Sequence, residues 1–89
     1  MEIEVAVTVI DRMRLAIGFV DRALLKSEQA PVIANKIKEH FPELPVMLVS
    51  DDEPWEAWAL FQTRGVLESF KPETLDLQLV DLDNPPLPF

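Results

Sequence analysis

The chain has 89 residues, no cysteine, one histidine and a formal net charge of −8 at pH 7. One small domain is expected, without a disulfide, a thiolate–metal staple or a His-rich metal cluster. Sixteen acids against eight bases speak against a binder that neutralises nucleic-acid phosphates, and an apolar share of 48% is too high for a disordered acidic tail.

Residues 3–10, Ile3-Glu4-Val5-Ala6-Val7-Thr8-Val9-Ile10, alternate and are rich in β-branched side chains, which predicts a strand. After the break at Asp11-Arg12, Leu15 to Val20 is almost continuously apolar, as in a strand buried on both faces. A helix over 12–25 competes, because Met13, Ile17, Val20 and Leu24 also form a stripe. Only about four residues join the two runs, too few for a parallel crossover, so 3–20 should be an antiparallel hairpin. Ser27 reads as a helix N-cap, with Pro31 in the first turn and Ala30, Ile33, Ile37 and Phe41 at helical spacing. Pro42 ends that helix, and His40 is a solvated residue at its C-terminal end.

Pro45 to Val49 is a second buried-type strand, closed by Ser50-Asp51-Asp52. Asp52 can cap a further helix holding Trp55 and Trp58, with Gly65 as its stop. Trp55 and Trp58, three apart, would share a face of it and are the candidate partner-binding aromatics. Val66 to Phe70 is a strand candidate, followed by Lys71-Pro72. Residues 73–82 fit a strand through Leu75, Leu77 and Leu79, or a helix through Leu75, Leu79 and Leu82. The fold expected is a small three-layer α/β domain over residues 1–83. Its βαβαβ, flavodoxin-like sheet is mostly parallel, with an N-terminal antiparallel strand and an extended Pro-rich tail at 84–89.

The charge is uneven. Residues 1–50 hold seven acids and six bases, whereas residues 51–89 hold nine acids and two bases. Such asymmetry keeps a small protein soluble or marks an interaction surface. With only Gly18 and Gly65 there is no Gly-rich phosphate loop, and no Ser-His-Asp or Cys-His set is spaced for catalysis. The expectation is a protein that is not an enzyme and holds no metal or cofactor. No apolar run approaches the roughly 20 residues of a membrane span, and Met1-Glu2-Ile3-Glu4 lacks a basic signal start. A cytoplasmic setting is expected, with a protein partner and neither membrane nor direct nucleic-acid contact. A sheet this small leaves edges exposed, which a homodimer would cover.

Phe41-Pro42-Glu43-Leu44-Pro45-Val46-Met47-Leu48-Val49-Ser50, with Gly65 and Lys71-Pro72 after it and Leu15–Asp21 before it, resembles the receiver domain of two-component response regulators. The resemblance implies Asp21 as phospho-acceptor and Ser50 and Lys71 as phosphate-sensing residues, with magnesium needed only if Asp21 is phosphorylated. The family's first strand, first helix and metal-binding acidic pair have no counterpart. The implied function is therefore a degenerate receiver-like module that signals through protein contacts. A shorter stretch, Val46-Met47-Leu48-Val49-Ser50-Asp51 followed by Trp58-Ala59-Leu60, resembles the central hairpin of the phage uracil-DNA glycosylase inhibitor. That family mimics DNA: its carboxylates copy phosphate spacing and its apolar pocket takes a side chain of the enzyme. It implies antiparallel strands at 46–50 and 56–63 and a small acidic inhibitor of a DNA-processing enzyme.

Overall fold

The N-terminal alternation becomes strand β1 (Glu2–Ile10), which is followed by β2 (Met13–Val20). The two pair antiparallel from Glu4 opposite Phe19 to Ile10 opposite Met13. Arg12 sits in the left-handed region at φ 67°, the backbone that a two-residue hairpin connection of this twist demands. The structure, a computed structural model, describes residues 1–10, 12–61, 64–68, 71 and 75–83. Asp11, Pro72 and the tail at 84–89 lie outside them.

The chain then runs through α1 (Arg22–Leu25) and α2 (Gln29–His40) into β3 (Val46–Ser50). This crossover returns β3 beside β2 in parallel, from Ala16 opposite Val46 to Val20 opposite Ser50. Asp21 caps α1, its carboxylate accepting from the Ala23 amide at 2.8 Å. Ser27 joins the helices: its hydroxyl donates to the Leu24 carbonyl and accepts from the Gln29 amide, while Glu28 holds the cap position of α2. After β3 come β4 (Ala57–Trp58), α3 (Arg64–Glu68) and β5 (Gln78–Asp81). The sheet order is β4-β3-β2-β1-β5.

The expectation of a mostly parallel flavodoxin-like sheet is corrected here. Only β2 and β3 are parallel; β1–β2, β1–β5 and β3–β4 are antiparallel, and the sheet is mixed. Two local misreadings cause this. The segment read as a helix after Asp52 turns back within six residues of Ser50, too short a link for a crossover, and pairs on the open edge of β3. Its sequence is apolar on nearly every side, so it lacks the polar face that a surface helix presents to water. Of the strand expected at 66–70, residues 66–68 belong to α3 and 69–70 lie outside the described residues; Gly65 is inside that helix rather than past its end. Residues 78–81 resolve the C-terminal ambiguity as strand.

Burial explains why the parallel pair lies at the centre. Leu15, Ala16 and Ile17 are all fully buried, alternating between the two faces of the sheet. On one face, Val5, Ala16, Val20 and Leu48 pack against Ala30, Ile33, Ala34 and Ile37 of α2. On the other, Ile10, Leu15, Ile17, Met47 and Val49 pack with Val66 of α3 and with Leu75. Gly18 lies directly under α2: a Cβ placed there would stand 2.5 Å from Ile37 Cδ1.

Candidate protein interface

The β3–β4 turn begins at a buried hydroxyl. Ser50 Oγ donates to the Asp52 carbonyl at 3.1 Å and accepts from the Glu56 amide at 3.0 Å, while the Ser50 amide donates to the Glu56 carbonyl. Arg22 braces the turn from α1. Its Nη2 donates to the carbonyls of Pro54 at 2.7 Å and Asp52 at 3.3 Å, and pairs with the Asp52 carboxylate at 2.9 Å. Glu56 receives Arg22 Nε at 3.5 Å and Lys26 Nζ at 3.3 Å. The turn therefore holds its own shape. It leaves the exposed side chains of Asp51 and Glu53 without a cation in this network.

Beside this turn lies an open cleft of about 480 Å³. Glu2 and Glu4 of β1, Asp21 after β2 and Asp51 after β3 all line it, around Phe19 and Leu79. The topology brings them together: the hairpin sets Glu4 opposite Phe19, and the Asp51 amide donates to the Val20 carbonyl at 3.0 Å. No lysine or arginine is among the described residues that line it. The Met1 ammonium borders the cleft but is held by Asp83 and, at 3.9 Å, by Asp81. The hydrogen bond with Asp83 holds that ammonium above its ordinary pKa, and the same bond holds the Asp83 carboxyl below its own.

The second concavity is apolar. A groove of about 320 Å³ runs between α2 and the β4 edge, with Pro31, Ala34, Val46, Trp58 and Phe61 in its lining. Leu60 stands at its rim, 92% exposed. With the groove lining it forms a contiguous apolar patch, the kind of surface that marks a docking site.

The sequence-derived candidates separate accordingly. Asp21 and Ser50 do come together, at the adjoining ends of the parallel pair, but both groups have structural tasks: Asp21 caps α1, and the Ser50 hydroxyl closes the turn. Lys71 is exposed and follows α3 rather than a third parallel strand. Trp55 and Trp58 do not share a helix face. Trp58 packs with the α2 side of the sheet and lines the groove, whereas Trp55 packs with the opposite cluster. Glu2 and Glu4 were missed as site residues. Their signal was present, because the expected hairpin already placed the start of β1 beside the end of β2.

Among the described residues no group of three His, Asp or Glu side chains is placed to hold a metal ion, and no helix is long and apolar enough to cross a membrane. The fold is thus a small mixed α/β domain that carries an acidic cleft and an apolar groove. In comparisons with known proteins no family model matches the chain, and no curated protein and no solved structure matches it significantly.

Proposed function

We propose that this chain is a non-catalytic docking protein of the DNA-mimic kind, which inhibits a DNA-processing enzyme by presenting carboxylates to its basic DNA-binding groove. The observation that carries the reading is the antiparallel β3–β4 pair, with Leu48 opposite Trp58 and Val49 opposite Ala57, where a receiver domain would have a helical crossover. That pair is the arrangement which the resemblance to the glycosylase inhibitor implies for this stretch. It also sets exposed Asp51 and Glu53 in the turn and Trp58 in the apolar groove. The acidic cleft supports the same reading, because carboxylates from three strands or strand ends face a common opening.

A basic partner follows from the charge. At −8 per chain, long-range attraction favours a cationic surface and opposes a second copy of this protein. The signalling alternative needs Lys71 at the end of a third parallel strand, and the sheet has no such strand among the described residues.

The test is uracil excision from duplex DNA by purified uracil-DNA glycosylase, with this protein added. Inhibition at near-stoichiometric protein is expected, relieved as salt screens the charges. The double variant Asp51→Asn/Glu53→Gln should weaken inhibition by at least tenfold. Full excision at a large excess of protein would overturn the reading for this enzyme class.

A further inference from the structure

β5 closes one side of the sheet: it pairs with β1, and among the described residues no strand lies beyond it. The Leu82 amide donates to the Met1 carbonyl at 2.8 Å. Backbone groups along an antiparallel ladder alternate between the partner and the outer side. With Leu82 turned towards β1, the N–H and C=O of Leu79 point outward. The Leu79 side chain is 65% exposed and that of nearby Leu77 is 47% exposed. Natural edge strands are usually blunted by a charge, a proline or a bulge at such a position. Here an open backbone pair carries a leucine instead.

The chemistry next to this edge is one-sided. Leu79 stands opposite Glu4 on β1, and Glu4 stands opposite Phe19 on β2, all on one sheet face. Glu2, on the same face, completes a row of carboxylates interleaved with apolar groups and continuous with the acidic cleft.

We propose that the β5 edge accepts a sixth strand from the partner protein, an extended segment in which lysine or arginine alternates with apolar residues. The proposal rests on the reading that the chain docks a basic partner, and adds where and how. Pairing with the Leu79 backbone fixes register, as in other strand additions to open sheet edges. Successive side chains of an extended segment point to opposite faces. The cations therefore lie on the Leu79 face, their long stems crossing Leu79 towards Glu4 and Glu2, and the alternate apolar side chains lie on the opposite face, beside Val80. A second copy would bring −8 against −8 and a like-charged row against its own kind.

The test is a titration of isotope-labelled protein at low salt with a synthetic heptapeptide of alternating lysine and valine. Amide shifts confined to β5 and β1 are expected, with affinity falling steeply as salt rises. Leu79→Pro removes the outward N–H but leaves the ladder with β1, and should weaken binding at least tenfold. If Leu79→Pro does not fold, Leu79→Lys keeps the amide and should weaken binding as strongly by repelling the peptide. Glu2→Gln with Glu4→Gln should flatten the salt dependence. The proposal is overturned by shifts elsewhere, by equal affinity for a peptide with glutamine in place of lysine, or by self-association through β5 without peptide. No enzyme or DNA is present, so failure here is distinct from failure of the inhibition assay.

Discussion

Ile37→Ala is expected to lower the unfolding free energy by about 2–5 kcal/mol, the usual cost of emptying a close-packed core position. Ile37 is fully buried at the middle of the contact between α2 and the sheet, in one cluster with Val5, Ala16, Ala34 and Leu48. Two things make collapse around the deletion difficult. Gly18 directly below has no side chain to move into the gap, and the strands there are locked in paired ladders on both sides. A domain of 89 residues holds roughly 4–13 kcal/mol in total at typical per-residue stability, so the substitution removes a large share. The readout is the urea midpoint at unchanged slope. A loss below about 1 kcal/mol, on the scale of surface substitutions, would show that α2 is not seated on the sheet as described.

Gly18→Ala is the complementary case, and two effects of opposite sign compete. Replacing glycine in an extended strand narrows the unfolded ensemble and by itself stabilises by about 0.4–1 kcal/mol. Against it stands overpacking, typically about 1–3 kcal/mol in a filled core. The added methyl would lie 2.5 Å from Ile37 Cδ1, 3.1 Å from Ile3 Cδ1 and 3.3 Å from Leu48 Cδ2. One flexible tip could turn aside; three buried ones cannot all do so. Overpacking therefore wins, and a net loss of about 1–2 kcal/mol is expected. Combining Gly18→Ala with Ile37→Val removes the nearest colliding methyl, so the double variant should be more stable than the sum of the singles indicates. Additive losses, or a stabilised Gly18→Ala, would contradict the packing.

The parts of the fold legible in the sequence were those whose pattern has a single physical reading. The alternation at Ile3–Ile10 and the short link to Leu15 leave an antiparallel hairpin as the workable arrangement, and it forms. The run from Ala30 towards Phe41 forms α2, which ends at His40 with Phe41 as its cap. The failures fall where a segment is apolar without a period. Trp55 to Phe61 could be a buried helix or an edge strand, and the open side of β3, invisible in local sequence, decides the matter. The same limit hid the pairing of β5 with β1, which joins residues far apart in the chain.

The candidate site was legible only in part. Net charge pointed to an acidic surface, but the sequence placed it after Val49, whereas the cleft also draws Glu2, Glu4 and Asp21 from the first quarter of the chain. Trp58, a candidate partner-binding aromatic in the sequence, is half-buried and lines a groove; its grouping with Trp55 depended on a helix where the chain forms β4. Asp21 and Ser50 were rightly placed at neighbouring strand ends. The tasks of these polar groups, capping and turn closure, could not be separated from a binding task by residue type alone.

The proposed mode of action depends on β4 lying antiparallel on β3. The most direct measurement is therefore the pattern of short interproton distances from nuclear magnetic resonance across this pair. Cross-strand backbone contacts between Leu48 and Trp58 and between Val49 and Ala57 are predicted, with slow exchange of the Ser50 amide, which donates to Glu56. Sequential helical contacts through Trp55–Leu60, with no contact to β3, would contradict the account.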